Sequence, residues 1–218
     1  MNTLPHPMED RFQNFVLSSD YPCLGAKASF NTDMYRFGHY DLLGDKSSAK
    51  NLAKDLTMFI DFQKSNNSNF TTFVALFDDS TIDSELSFEN KLWQQLEALH
   101  IQDNCAWDNA VSKNPEHNEF GFSFGGSAFF IIGLHPNSSR QARRFDQPAL
   151  VFNAHSQFDK LRKSGKYQKM LKVIRDRDMS FQGTINPMAA EFGTSSEARQ
   201  YSGREVSEAW KCPFLNQN

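Results

Sequence analysis

Two histidines in the sequence each follow an apolar run that predicts a buried β-strand. His135 comes directly after residues 127–134, and His155 follows residues 149–152 and the pair Asn153 and Ala154. A side chain at the end of a buried strand can reach a cleft, and imidazole is a common ligand of iron. His135 and His155 are therefore the candidate metal ligands. For each, the alternative is a histidine that packs or hydrogen-bonds at the strand end without a metal.

The segment after the first histidine is basic. If it forms a helical turn, Arg140, Arg143 and Arg144 share one face. Guanidinium groups bind carboxylates by paired hydrogen bonds, and Ser138 adds a hydroxyl beside them. The segment therefore predicts a clamp for the carboxylates of a haem group or of an amino-acid substrate. The alternative is a turn whose arginines face solvent.

A third group of polar residues lies near the C-terminal end, in and just before a loop predicted over residues 183–203. Acids and amides on an ordered loop hold a cationic guanidine or amine by paired hydrogen bonds, as carboxylates pair with arginine. The candidate substrate-binding residues are Asp178, Asn186, Glu197, Arg199 and Tyr201. A salt-bridged surface loop explains the same residues without a substrate.

The three cysteines are far apart and form no CxxC pair, which indicates reduced thiols and not a disulfide framework or a zinc site. Cys23 is the cysteine best placed to bind iron. A ligating thiolate needs hydrogen-bond donors or positive charge around the sulfur, and the nearest arginine in sequence, Arg11, has no reason to be close. We therefore rank a cysteine ligand behind both histidines, and His135 ahead of His155 because its strand is longer and three arginines follow it.

Ser123 lies in a G-x-S-x-G string, the pattern of the nucleophile elbow in serine hydrolases. The elbow requires a strand before the serine and a helix after it. Here a polar loop precedes the string and the apolar run from residue 127 follows it, so a catalytic Ser123 is disfavoured. The sequence has no G-x-G-x-x-G, P-loop or HExxH motif, so nothing indicates a nicotinamide, flavin, nucleotide or protease-zinc site.

The elements that must position these residues alternate along the chain. Helical spacing predicts helices near residues 9–17, 52–63, 84–100, 158–161 and 167–177. Apolar or β-branched runs predict strands at residues 27–30, 71–77, 127–134 and 149–152. No linker divides the 218 residues. We expect an α+β fold with a mixed sheet packed against helices, in one domain over residues 1–218.

The amino-acid composition limits which classes of molecule this protein is expected to bind. The formal net charge is −3, from 26 acidic and 23 basic residues, so no overall field favours nucleic acid or an anionic membrane. No apolar stretch is long enough to span a bilayer, and the N-terminal residues lack the basic and apolar regions of a signal peptide, so a cytoplasmic location is expected. The 21 phenylalanines fill a core or line a pocket for a flat ligand.

Several strings together resemble the YqcI/YcgG family over essentially the whole chain. They lie at residues 21–23, 122–126, 135–140, 143–145, 152–158, 197–204, 210 and 212–214. Residues 21–26 and 35–38 are most similar to the haem-dependent N-hydroxylases of the guanitoxin pathway, and the arginine N-hydroxylase of the cycloserine pathway is a more distant relative. A departure is Ala154, where much of the family is expected to have proline; it would loosen the turn that presents His155.

The resemblance implies haem b, dioxygen as cosubstrate and a small-molecule substrate with a guanidine or amine group. It identifies the chain as a haem-dependent N-hydroxylase, a monooxygenase. Oxygen insertion into an N–H bond needs an oxidant that side chains cannot provide, so a cofactor must carry it. Because the sequence has no reductase motif, an external electron donor or peroxide is expected. The alternative is a haem-binding sensor or carrier without turnover, and a homo-oligomeric state is left open.

Overall fold

A computed structural model of the chain describes residues 6–66, 70–188 and 193–214. Its sheet contains β1 (Tyr35–Tyr40), β2 (Thr72–Phe77), β3 (Phe122–Phe124), β4 (Ser127–Leu134) and β5 (Ala149–Ala154). The strand order is β1-β2-β5-β4-β3, which places β5 at the centre. β1 and β2 are parallel and the other pairs are antiparallel. The sheet is therefore mixed, as the sequence predicts.

The helices cover both faces of this sheet. They are α1 (Pro7–Leu17), α2 (Leu24–Asn31), α3 (Lys46–Ser65), α4 (Glu85–Gln102), α5 (His155–Lys163), α6 (Lys166–Gln182) and α7 (Ala198–Tyr201). α3 connects the parallel strands β1 and β2, because a parallel pair needs a crossover connection. The expected α+β class is confirmed. None of the helices in the described part of the chain is long and apolar enough to cross a membrane.

Alternation along β2 separates two cores. Phe73 and Phe77 pack in the cluster that contains residues of α3 and α4. Val74 and Leu76 pack in a second cluster with residues of α1 and α2 on the opposite face. Because successive strand side chains point to opposite faces, Thr72 belongs to the second face with Val74. This second face carries the cavity described below.

Most predicted elements are confirmed, and the periodic ones most accurately. The helices predicted at 9–17, 52–63 and 84–100 lie in α1, α3 and α4, and the strands predicted at 71–77, 127–134 and 149–152 are β2, β4 and β5. β4 and β5 are each followed directly by a histidine, as predicted. Part of the predicted loop at 183–203 is helix α7, and residues 189–192 of that loop lie outside the described residues.

The predicted strand at 27–30 is wrong, because this segment lies in helix α2. Four residues of alternating pattern are too few to distinguish a strand from a helix. The helix begins because the Sγ atom of Cys23 accepts a hydrogen bond from the backbone N–H of Ala26, which caps the first turn. The strands β1 and β3 were not predicted, since β3 has only three residues and β1 has no β-branched residue and contains a glycine.

Candidate functional site

A cavity of about 230 Å³ lies on the second face of the sheet, between the strands and the helices α1, α2, α5 and α6. Its walls are mostly apolar, and within the described part of the chain seven aromatic side chains line it: Phe12, Tyr21, Phe30, Phe70, Phe130, Phe158 and Tyr167. Aromatic rings on several walls suit a flat, apolar ligand. The phenylalanine-rich composition therefore serves a pocket as well as the cores.

The sheet wall of the cavity carries two polar residues side by side. Thr72 on β2 and Asn153 on β5 are paired across neighbouring strands, and both line the cavity. Thr72 is 2% exposed, and its Oγ1 atom is buried without a hydrogen-bond partner. A buried hydroxyl without a partner costs about 1 to 3 kcal/mol. A polar atom of a bound molecule would remove that cost, so the hydroxyl points to a ligand.

Cys23 lines the same cavity from the N-terminus of α2. Burial raises the pKa of the thiol, and the backbone N–H groups of Ala26 and Gly25 and the charge of Arg143 act to lower it. The absence of positive charge was the reason for ranking a cysteine ligand last. In the structure the charge of Arg143, which is distant in sequence, acts on the thiol, although burial has the larger effect on its pKa.

A buried carboxylate and a histidine meet at another wall. Glu197, 5% exposed, lines the cavity, and its Oε2 atom lies 2.8 Å from the Nε2 atom of His155. His155 is 5% exposed and is not among the described residues that line the cavity. Burial raises the pKa of Glu197, while hydrogen bonds from His155 and Tyr201 act to lower it. The hydrogen bond to His155 fixes the orientation of this carboxylate, which can therefore pair with a cation in the cavity.

Two arginines complete the cavity lining, at the wall built by α5 and α6. Arg162 stacks over the ring of Tyr167 at 4.9 Å and forms an ion pair with Asp159. Arg175 lies further along α6. Guanidinium groups at the rim of an apolar pocket are suitable partners for carboxylates of a bound molecule. Neither arginine is a candidate from the sequence, because no neighbouring residue distinguishes it from a solvent-exposed arginine on a helix.

His135 lies away from the cavity. Its ring is fully buried, stacks on Phe88 with 4.2 Å between ring centroids, and has no hydrogen-bond partner at either nitrogen. It is not among the described residues that line the cavity. Burial lowers the pKa of His135 from 6.5 to about 4. The ring is therefore a neutral core histidine in this structure, and ligation of iron by His135 stays a prediction of the sequence.

We expect this buried imidazole to make folding sensitive to acid. Below pH 6.5 the unfolded chain protonates His135 while the folded chain does not, so stability falls as pH drops from 6.5 towards 4. The difference corresponds to roughly 3 kcal/mol by pH 4. Urea unfolding of haem-free protein should show this loss in the wild type and lack it in His135→Leu. The control His117→Asn, at a loop residue, should keep the loss; an unchanged pH dependence in His135→Leu would contradict the assignment.

The three arginines predicted as a clamp do not share an open face. Arg140 pairs with Asp178 at 2.6 Å and also donates to Thr184. Arg143 donates to the backbone oxygens of Gly133, Gln200 and Tyr201, and Arg144 donates to those of Ser138 and Ser139. None of these arginines is among the described residues that line the cavity. They tie the chain after β4 to α6 and α7.

The other predicted substrate residues also have partners within the chain. Asp178 accepts hydrogen bonds from Arg140 and from the backbone N–H of Asn186. Arg199 donates to the backbone oxygen of Ser207, and the Tyr201 hydroxyl accepts from Phe122 and donates to Phe129. The Ser138 hydroxyl accepts from Arg140. Of the residues considered from the sequence, Glu197 and the third-ranked iron ligand Cys23 line the cavity, and the hydrogen bond of Glu197 brings His155 close to it.

Ser123 is not part of a nucleophile elbow. It lies on β3, is fully buried, and its Oγ atom accepts a hydrogen bond from the backbone N–H of Asp108 at 3.0 Å. The segment after it turns through Gly125 and Gly126 into β4, where an elbow needs a helix. Within the described residues, no group of three or more His, Cys, Asp or Glu side chains is arranged to hold a metal ion.

Comparison with known proteins gives one family. The sequence model described as the YqcI/YcgG family matches residues 12–215. The chain is similar to the uncharacterized protein YcgG of Bacillus subtilis (strain 168), with 27% identity over 204 residues that cover 89% of this chain and 80% of that protein. It is also similar to the uncharacterized protein YqcI of the same organism, with 24% identity over the same shares. No solved structure matches the chain.

Proposed function

The chain belongs to the YqcI/YcgG family, and on this premise we propose that it is a haem-dependent oxygenase that N-hydroxylates a small guanidine or amine. The reaction converts an N–H bond to N–OH with one atom of dioxygen. The second atom leaves as water, with two protons and two electrons from an external donor. The supporting observation is the aromatic cavity, which has a cysteine thiol, two arginines and a buried carboxylate on its walls.

The cavity lining matches the chemistry of haem. A planar apolar ring suits the aromatic walls, and Arg162 and Arg175 are placed to pair with its carboxylates. The volume of about 230 Å³ lies below the range of roughly 300 to 1,000 Å³ for small-molecule pockets. We therefore expect α5 and α6 to move outward when the ring enters, since these helices form one wall.

Haem, when bound, supplies the activation of dioxygen that no side chain provides. The protein must then hold the substrate nitrogen in place and exclude water. Glu197 is suited to bind a guanidinium or ammonium group, because its carboxylate is buried, lines the cavity and has a fixed orientation through His155. Thr72 and Asn153 offer polar atoms at the sheet wall for the remaining contacts. The mostly apolar walls keep bulk water from the reacting nitrogen.

The other residues selected from the sequence receive structural roles in this proposal. Asp178 and Asn186 belong to a hydrogen-bonded network with Arg140, and Arg199 and Tyr201 bind backbone groups near α7. A direct part for these residues in substrate binding stays a prediction of the sequence alone. The Tyr201 hydroxyl binds backbone groups of β3 and β4, which holds α7 against the sheet and keeps Glu197 at the cavity.

The first test is haem uptake. Protein produced with haem supply should contain close to one haem b per chain and show a Soret absorption band, because the cavity combines aromatic walls with a cysteine thiol and arginines. Addition of arginine or of a cyclic guanidine, together with an electron donor, should then cause substrate-dependent oxygen consumption. A purified, haem-supplied sample without a Soret band contradicts the proposal. Haem without substrate-dependent oxygen consumption would favour the sensor or carrier alternative.

A further inference from the structure

Four types of side chain ligate haem iron in proteins: histidine, cysteine, methionine and tyrosine. Among the described residues that line the cavity, these are represented by Tyr21, Cys23, Tyr167 and Met170. Neither candidate histidine lines it: His135 lies in the core against Phe88, and the Nε2 atom of His155 is bound to Glu197. The ligand of a haem in this cavity therefore comes from those four residues.

Cys23 is the best ligand of the four. Burial raises the pKa of both the Tyr21 hydroxyl and the Cys23 thiol, but a phenol ordinarily loses its proton at a higher pH than a thiol, which disfavours the phenolate more. The ring of Tyr167 is covered by Arg162. A methionine thioether such as that of Met170 usually ligates haem together with a histidine. At Cys23 the rise in pKa that burial causes is opposed by the backbone N–H groups of Ala26 and Gly25 and by the charge of Arg143, and the sulfur accepts a hydrogen bond from the Ala26 N–H at the start of α2. These are the donors and the positive charge that a ligating thiolate needs.

An independent observation points to a ligand in this cavity. Thr72 lines the cavity wall and is 2% exposed, and its buried hydroxyl has no hydrogen-bond partner among the described residues. Buried hydroxyls almost always have a partner, so this one indicates a polar atom of a bound molecule. Asn153 beside it adds an amide to the same wall. Cys23, at the start of α2, and Thr72, on β2, thus line the same cavity.

We propose that the Sγ atom of Cys23 is the axial ligand of the haem iron, and that this chain is a haem-thiolate protein. The inference rests on the proposed function, because it requires that haem occupies the cavity. Coordination replaces the S–H bond by an S–Fe bond; the proton leaves to solvent and no electron is transferred. A thiolate ligand favours cleavage of the O–O bond, as in P450 enzymes, which is the step that N-hydroxylation by dioxygen requires.

Absorption and electron paramagnetic resonance spectra of the haem-loaded protein test the ligand without measuring activity. The wild type should give the strongly red-shifted Soret band of a thiolate-bound ferrous carbon monoxide complex. Cys23→Ala and Cys23→Ser should lose this band. Serine keeps the cap of α2, since it is a good N-cap residue, so its effect separates ligation from folding. Cys23→His should bind haem with a nitrogen-type spectrum, and the control Cys105→Ser, at an exposed cysteine outside the cavity, should keep the wild-type band.

Two results would overturn the assignment and leave the proposed function standing. One is a wild-type spectrum that Cys23→Ser does not change. The other is a nitrogen-type wild-type spectrum that is lost in His135→Ala or His155→Ala and regained with added imidazole, which would move the ligand to that histidine. A wild type that binds no haem overturns the proposed function and this inference with it. Circular dichroism on every variant confirms that each is folded before its spectrum is interpreted.

Discussion

Replacement of Glu197 by glutamine should weaken the binding of a guanidine substrate by at least about 30-fold, the equivalent of about 2 kcal/mol. Glutamine has the size of glutamate but no charge, so a guanidinium group in the cavity would lose its buried counter-ion. The carboxylate is 5% exposed and lines the cavity, where little water screens the interaction. The loss should therefore be larger than for any exposed carboxylate of the chain.

The measurement is calorimetric titration of haem-loaded protein with arginine, as an open-chain guanidine, and with 2-iminoimidazolidine, as a cyclic one. Glu208→Gln is the matched control, because Glu208 is exposed and its substitution removes the same charge from the protein surface. We expect it to change the affinity less than twofold. Equal affinities for wild type and Glu197→Gln would exclude Glu197 as the substrate carboxylate. The proposed haem site would then remain, with a different contact for the cation.

Replacement of Arg204 by alanine should destabilise the fold by about 3 kcal/mol, which corresponds to a fall in Tm of roughly 6 to 12 °C for a domain of this size. Arg204 forms an ion pair with Glu89 on α4, whose side chain is only 3% exposed, and Ser202 donates a second hydrogen bond to the same carboxylate. Loss of the arginine leaves a buried charge without compensation. Because this ion pair holds the chain directly after α7, the substitution should also weaken the packing of α7, which follows Glu197 directly.

Chemical unfolding of the single and double variants separates the two causes. Glu89→Gln in the Arg204→Ala background should recover a large part of the lost stability, since it removes the uncompensated charge. Lys211→Ala, which breaks the exposed pair with Glu116, should cost less than about 1 kcal/mol. If Arg204→Ala and Lys211→Ala destabilise the protein equally, the Glu89 carboxylate is hydrated in solution and the buried pair does not hold α7.

Elements that depend on interactions between residues close in sequence could be predicted, and features that depend on contacts between distant residues could not. The helices α3 and α4 were predicted because apolar residues repeat every three or four positions, as burial of one helix face requires, and β4 was predicted because its apolar residues form a continuous run. The short segment that became α2 was predicted wrongly, because its cap depends on one sulfur atom and its pattern is too short. Family membership also followed from strings that the sequence displays directly.

The cavity itself could not be predicted, because the polar residues on its walls come from distant parts of the chain. Thr72 and Asn153 become neighbours only when β2 and β5 pair in one register, and Cys23 gains the charge of Arg143 only when α2 docks on the sheet. The sequence by itself determined the periodic elements, the residue types available for chemistry and the family. Which of those residues share a cavity, and which are used up by partners within the chain, was decided by tertiary packing, since local patterns carry no information about contacts between remote segments.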